Sequence, residues 1–157
     1  MSKISSLYNP KPNYLLMLFS SHDRPNILTM SRSSTIPFKV ISATCEGNGI
    51  GKGNDLPWSL KEEMAYFHRM TRTTVDRRLE NALLMGRRTW ESIPPQERPF
   101  PGRVSIVLSQ TMCKETKDNV RVCRSYEEAV EAVDCLYDKI ETCWVMGIDY
   151  IYYMLYV

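Results

Sequence analysis

The feature that most constrains the fold is a nearly continuous apolar run at Phe38–Cys45, with the sequence FKVISATC. A strand with one solvated face alternates apolar and polar residues, whereas a run of this kind is typical of a strand buried on both faces. Such strands occur in parallel sheets that are covered by helices. The run therefore predicts an interior strand of an α/β domain.

This strand is the first of five predicted strands, which alternate with three predicted helices. Shorter apolar runs predict the other strands at 81–85, 104–108, 120–123 and 143–146. Capping boxes predict helices that begin at Leu60 and Tyr126, and a short helix is predicted at 87–92. The alternation predicts an α/β fold with a mainly parallel central sheet and helices on both faces. The last helix should bury an apolar stripe of Tyr126, Ala129, Val130, Val133 and Tyr137.

The residues before the interior strand differ in composition from the rest. Residues 1–36 are rich in serine and hold one acidic residue, Asp23. The apolar stretch Tyr14–Phe19 is too short to span a membrane. We therefore expect a disordered or targeting extension at 1–36, a mitochondrial presequence being the targeting alternative, followed by a folded domain at 37–157.

Charge and cysteine content exclude several classes of function. A net charge of +2 gives no general role in binding polyanions, so we expect no specific nucleic-acid partner. Five cysteines are an odd number and show no CxxC spacing, which argues against a disulfide framework or a zinc site. We expect no metal, no membrane association and a cytoplasmic location.

One carboxylate lies on the apolar face of the first predicted helix. Leu60, Glu63, Met64 and Phe67 are spaced i, i+3, i+4 and i+7, which places them on one side of a helix. A glutamate at the edge of such a face is commonly solvated. Because a buried carboxylate needs partners, the alternative is that Glu63 receives hydrogen bonds from a ligand.

The segment 85–89, with the sequence MGRRT, is a candidate phosphate site. A predicted strand ends at Gly86, and the next helix begins with two arginines and a hydroxyl. Free N–H groups at a helix N-terminus and guanidinium groups both favour phosphate, although a solvated basic turn has the same composition. Polar residues that follow the next two strands would lie at the same carboxyl edge of the sheet, where α/β proteins bind ligands. The candidate phosphate ligands are Arg87, Arg88, Thr89, Ser109 and Arg124.

Two further features are ambiguous by themselves. The glycine-rich segment 47–55 has the composition of an ordinary turn. Arg103, directly after Pro101 and Gly102, could be an exposed turn charge or an anion clamp.

Taken in order, these motifs resemble the dihydrofolate reductase family of the eukaryotic type. Their order and spacing hold from Phe38 to Gly147. The matching motifs are Gly49–Lys52, Asp55–Trp58, Glu63 with Tyr66 and Phe67, Met85–Trp90, Ser92–Pro94, Arg98 and Pro99, Gly102 and Arg103, Val107–Ser109, and Trp144–Gly147.

The resemblance implies that NADPH gives a hydride to 7,8-dihydrofolate, which yields 5,6,7,8-tetrahydrofolate. Glu63 would hold the pterin ring and assist protonation of the neighbouring ring nitrogen through water. Arg103 would clamp the glutamate carboxylate of the substrate bidentately. The resemblance implies an apolar pocket for the substrate, and for antifolates, of Ala43, Leu56, Met64, Phe67, Ile93 and Pro94.

The resemblance also places NADPH at the carboxyl edge of the sheet, in a protein that acts as a monomer. The loop 49–56 would close over the nicotinamide ring. The implied cofactor ligands are Gly49, Lys52, Gly86, Arg87, Arg88, Thr89, Ser109, Arg124 and Gly147.

The pattern departs from the family after Gly147. The family has a second glycine there, followed by a helix and three strands, whereas Ile148 follows Gly147 and the sequence ends at Val157. Because one of those strands flanks Phe38–Cys45 in the family, we expect an incomplete domain that lacks the last helix and strands and leaves this edge bare. The alternative to a reductase is therefore a truncated, non-catalytic isoform or gene-model fragment that retains part of the NADPH and folate site.

Overall fold

Within residues 14–20, 34–45, 61–114 and 119–147, which the computed structural model describes, six strands form one sheet. The strands are β1 (Tyr14–Ser20), β2 (Phe38–Cys45), β3 (Glu80–Gly86), β4 (Arg103–Leu108), β5 (Val120–Cys123) and β6 (Ile140–Val145). The helices of the same residues are α1 (Lys61–Arg72), α2 (Arg87–Ser92) and α3 (Tyr126–Asp134).

The strands lie in the order β1-β2-β6-β3-β4-β5. All neighbours from β2 to β5 are parallel, and β1 is antiparallel to β2. This confirms the predicted α/β fold with a mainly parallel sheet. The bounds of β2, α2 and β5 are those predicted, whereas β6 begins earlier than expected, at Ile140.

Helices cover both faces of the sheet because the interior strands are apolar on both sides. In β3, Ala82 and Leu84 pack on the side of α3, and Leu83 and Met85 pack on the side of α1 and α2. All four side chains are fully buried. Burial of each large aliphatic side chain stabilises the fold by roughly 1.5–3 kcal/mol.

The predicted apolar stripe of α3 is confirmed in its centre and wrong at its end. Ala129, Val130 and Val133 are buried. Tyr137 instead lies beyond the last residue of α3 and is 72% exposed, while Leu136 is buried. The helix ends before it completes the turn that would have brought Tyr137 onto the stripe.

A buried amide fastens the end of α1 to the sheet. The side-chain nitrogen of Asn81, on β3, donates to the carbonyl oxygens of Thr71 and Thr73, each at 3.0 Å. These carbonyls lie at the end of α1, where no later N–H group of the helix can donate to them. The contact therefore fixes α1, and the side chains on its inner face, relative to β3.

The outer edge of β2 is covered by β1. Tyr14 lies opposite Cys45 and Ser20 opposite Lys39, so the pairing runs along nearly the whole of β2. The expected bare edge is therefore wrong, because a preceding segment supplies the hydrogen-bonding partners that the family pattern assigns to a later strand. The extension predicted at 1–36 stays a prediction as a whole, but its residues 14–20 form part of the sheet.

We predict that a variant beginning at Met30, which lacks β1, is less stable than the whole chain by at least about 2 kcal/mol. The loss of a seven-residue strand removes several inter-strand hydrogen bonds and exposes the edge of β2. Urea unfolding and light scattering should show a lower midpoint and more aggregation. Removal of residues 2–12, which keeps β1, is the control; equal stability of the two shortened variants would contradict the role given to β1.

Candidate functional site

The predicted site residues within the described part of the chain form two groups: one lies on and around α1 and includes Arg103, and the other lies at the carboxyl edge of the sheet. Arg103 is the first residue of β4, and Ser109 directly follows its last residue. At about 3.3 Å per residue, Arg103 and Ser109 lie roughly 20 Å apart. The candidate site is therefore elongated, with cationic groups at both ends. Gly49, Lys52 and Leu56 lie outside the described residues.

The inner face of α1 contributes the first group. Glu63 and Met64 are half-buried in the first turns of the helix, and Phe67 follows Glu63 by one turn. Phe67 packs against an apolar cluster that contains the buried residue Ile93. Pro94, the residue after Ile93, is exposed, and Ala43 lies on β2 opposite Leu16 of β1.

Arg103 is 2% exposed, so the alternative of an exposed turn charge is wrong. Its Nη1 atom donates to the hydroxyl of Thr71 at 2.7 Å, and both Nη atoms lie 3.3 Å from Nδ1 of His68. Phe100 and Phe67 flank the guanidinium, with ring centroids 4.8 and 5.9 Å from its carbon. Burial, together with the nearby charge of Arg72, lowers the pKa of Arg103 to about 10.

Sequence reasoning missed His68 and Thr71 as partners of Arg103. Both lie on α1 at a spacing of three residues, which places them on one side of the helix. Thr71 is fully buried, and its hydroxyl donates to the carbonyl of Phe67 at 2.8 Å while accepting from Arg103. The sequence shows this spacing, but no residue near Arg103 in the chain indicates that Arg103 would contact this side of α1.

The second group begins where β3 passes into α2. Gly86 caps the helix with an extended backbone, and a Cβ atom built there would meet no atom within 4 Å. Arg87 and Arg88 are exposed. Arg87 donates from Nη1 to the hydroxyl of Thr111 at 2.9 Å, whereas Arg88 makes no hydrogen bond or ion pair with other described residues.

Ser109 and Arg124 complete the carboxyl edge. The buried hydroxyl of Ser109 accepts from the backbone N–H of Thr111 at 3.3 Å and of Met112 at 3.0 Å. The carbonyl of Ser109 accepts from Nη1 of Arg124 at 2.5 Å. Thr111, which sequence reasoning missed, thus joins Arg87 to the turn that holds Ser109 and Arg124.

The start of α3 orders the backbone around Arg124. The hydroxyl of Ser125 accepts from the N–H of Glu128 at 3.2 Å, as the predicted capping box requires. The carboxylate of Glu128 accepts from the N–H of Arg124 at 2.6 Å instead of closing the box on Ser125. This carboxylate also pairs with Lys114 at 2.5 Å, and the two contacts lower its pKa.

Gly147 brings the end of β6 against α2. It has a φ of +73°, and a Cβ atom built there would lie 2.7 Å from Cβ and Cγ2 of Thr89 and would also overlap its hydroxyl. Gly86 and Gly147 lie at the ends of neighbouring strands, β3 and β6; the space beside Gly86 is open, whereas Thr89 occupies the space beside Gly147.

Other features of the described residues do not compete with this site. A hollow of about 590 Å³ lies at the amino ends of β2, β3 and β6, with walls that include Pro37, Leu79 and Ile140. Its carboxylates, Asp134 and Glu141, already accept hydrogen bonds from neighbouring backbone and hydroxyl groups. In the described ranges, no group of three His, Cys, Asp or Glu could hold a metal ion, and no helix is long and apolar enough to cross a membrane.

We predict that Gly147→Ala is more damaging than Gly86→Ala. At Gly147 the methyl group meets both a positive φ and Thr89, whereas at Gly86 the φ is −77° and the surrounding space is open. Thermal unfolding should show Gly147→Ala destabilised by about 1–3 kcal/mol and Gly86→Ala close to the parent protein. Equal melting temperatures for the two variants would contradict the contact between β6 and α2.

Comparison with known proteins places the sequence of this chain in a family. The sequence model of the family described as dihydrofolate reductase matches residues 37–156. The chain is 38% identical over 118 residues to the dihydrofolate reductase of Aedes albopictus, covering 73% of this chain and 63% of that protein. It is 39% identical over 111 residues to that of Drosophila melanogaster, covering 70% and 60%, and 36% identical over 119 residues to that of Bos taurus, covering 74% and 64%.

The chain thus spans 60–64% of the length of these three relatives. The match nevertheless takes in both ends of the candidate site, from β2 to the residues after β6. The chain belongs to the dihydrofolate reductase family.

Proposed function

We propose that this protein catalyses the NADPH-dependent reduction of 7,8-dihydrofolate to 5,6,7,8-tetrahydrofolate. The observation that carries the proposal is that the family match includes Glu63 on α1 and Arg103 on β4, together with Gly86–Thr89, Ser109 and Arg124 at the carboxyl edge of the sheet. Glu63 and Arg103 suit a substrate that carries a ring and a terminal carboxylate, and the groups at the carboxyl edge suit a phosphorylated cofactor.

Glu63 is the residue that we assign to the reacting ring. It lies one helical turn before Phe67, whose ring is part of an apolar cluster. A carboxyl group in this position can form hydrogen bonds to a pterin that packs against those apolar side chains. It can also pass a proton to the neighbouring ring nitrogen through water.

Arg103 is the residue that we assign to the carboxylate of the substrate. It is nearly fully buried, and its Nε atom has no hydrogen-bond partner among the described residues. A guanidinium held in this way is pre-organised for a planar, bidentate carboxylate. Antifolates that carry the same ring and carboxylate would compete for the same position, on a protein that we expect to act as a monomer.

The carboxyl edge has a donor set that fits a phosphorylated dinucleotide. Arg88 is exposed and makes no hydrogen bond or ion pair with other described residues, and Gly86 leaves space beside the start of α2. Arg87 and Arg124 are held by the turn at 109–111 and could direct their remaining N–H groups to phosphate oxygens. When bound, NADPH supplies the hydride that reduces the carbon–nitrogen double bond.

We predict that Glu63→Gln lowers kcat for dihydrofolate at neutral pH by about 10²–10⁴-fold, because it removes the group that relays the proton. Binding of NADPH, measured by fluorescence, should be unchanged. Glu62→Gln is the matched control, since Glu62 is exposed in the same turn of α1. If purified wild-type protein does not oxidise NADPH in the presence of dihydrofolate, the proposed function is wrong; full activity of Glu63→Gln would remove Glu63 from its role.

We predict that Arg103→Lys raises KM for dihydrofolate about tenfold to a hundredfold, because lysine keeps the charge but loses the paired N–H groups. Turnover of a dihydropterin without the glutamate tail should change much less. Thermal unfolding of the variant separates this effect from a loss of folding. A similar loss with both substrates would contradict the assignment of Arg103 to the carboxylate.

A further inference from the structure

His68 lies where a ligand carboxylate would meet Arg103. We infer that neutral His68 is a positioning residue whose imidazole occupies the end-on fork of Arg103, the space between its Nη1 and Nη2 atoms. A ligand carboxylate replaces the imidazole in this fork, and His68 then gains a proton. The inference rests on the proposed function for the identity of the ligand, a molecule with a terminal carboxylate. It adds a proton-coupled step to carboxylate recognition.

The imidazole of His68 occupies the position that a carboxylate bound to Arg103 would take. Nδ1 of His68 is 3.3 Å from both Nη1 and Nη2 of Arg103. An acceptor at equal distance from the two terminal nitrogens lies in the end-on fork, where a carboxylate makes paired hydrogen bonds. Thr71 holds a different Nη1 proton at 2.7 Å, so the guanidinium stays attached to α1 when His68 moves away.

Arg103 has more donors than acceptors. A guanidinium carries five N–H groups, of which His68 and Thr71 engage at most three, and Nε is buried without a partner among the described residues. Both acceptors are neutral, and no ion pair joins Arg103 to a carboxylate in the described ranges. A buried charge of this kind is better satisfied by an anion than by an imidazole.

The surroundings keep His68 neutral in the absence of an anion. Burial lowers the pKa of His68 below 6.5, the charge of Arg103 lowers it further, Glu97 opposes these effects, and Arg72 adds a smaller decrease. The rings of Phe67 and Phe100, with centroids 5.3 and 5.6 Å from the imidazole, complete the contacts. Because Nδ1 accepts from Arg103, the neutral ring carries its proton on Nε2.

A bound carboxylate reverses this balance. It takes the N–H groups that Nδ1 had accepted and places a negative charge beside the imidazole, which raises the pKa of His68. Since the pKa is then higher in the bound state, binding takes up a proton, and affinity rises as the pH falls from the bound-state pKa to the free-state pKa. A rise of about one pKa unit corresponds to about a tenfold gain in affinity at low pH.

The test is an NMR titration of the imidazole in the full-length protein. The chain has two histidines, His22 and His68, so spectra of His68→Gln assign the resonances. The probe is p-aminobenzoyl-L-glutamate, and the control ligand is its diamide, which lacks the carboxylates. We expect a pKa of His68 below 6.5 in the free protein, an increase with the probe, and no increase with the diamide. An unchanged pKa in the presence of bound probe overturns the inference.

Calorimetry gives an independent readout of the same step. The probe is titrated in two buffers of different ionisation enthalpy, because the difference in binding heat gives the number of protons taken up. The wild-type protein should show proton uptake at about pH 6. The variant His68→Gln keeps an acceptor that does not titrate, so proton uptake and the pH dependence of affinity should both disappear. Proton uptake that persists in His68→Gln, or a probe that does not bind at all, overturns the inference.

Turnover of dihydrofolate on the same preparations separates this inference from the proposed function. Turnover with an unmoved pKa of His68 overturns the proton-coupled step and leaves the reductase activity standing. A raised pKa with the probe but no turnover supports the step and overturns the proposed activity.

Discussion

The end of α1 is fastened to two neighbouring strands, and the geometry of the candidate site depends on this junction. Asn81 donates to the carbonyls of Thr71 and Thr73, and Arg103, which is paired with Asn81 across β3 and β4, donates to the hydroxyl of Thr71. Buried groups of this kind are costly to leave unpaired, so they fix both the height and the rotation of the helix. Glu63 lies on the same helix, and its position over the sheet follows from the junction.

The local sequence was sufficient to predict strands β2 to β6 and the residues that lie at the carboxyl edge of the sheet. Apolar runs such as Phe38–Cys45 determine burial on both faces, and a parallel sheet brings the residues after each strand to one edge. The local sequence did not predict the burial of Arg103, because its neighbours Pro101 and Gly102 are typical of an exposed turn. The burial of Arg103 depends on Thr71, 32 residues earlier in the chain, and no local pattern reports such a contact.

The local sequence also did not predict that β1 pairs with the outer edge of β2, and the reason is related. An edge strand is specified by the partner that it pairs with, and the segment Tyr14–Ser20 has no polar alternation that would predict one solvated face. An apolar stretch of this length is equally compatible with a buried segment of a helix, because periodicity does not distinguish the two. Only the pairing register with β2 shows that this segment contributes to the sheet.

The two ends of the site hold their arginines in opposite ways, and this difference has consequences for binding. At the carboxyl edge, Arg87 is exposed, donates a hydrogen bond to Thr111 and forms an ion pair with Glu91 at 3.7 Å. Such side chains attract an anionic ligand over some distance but must lose conformational freedom when they bind. Arg103 has already lost that freedom within the fold, and its burial disfavours the charge that it carries. An anion at this end therefore gains orientation without ordering the side chain, and it relieves a free-energy cost that the ligand-free fold already bears.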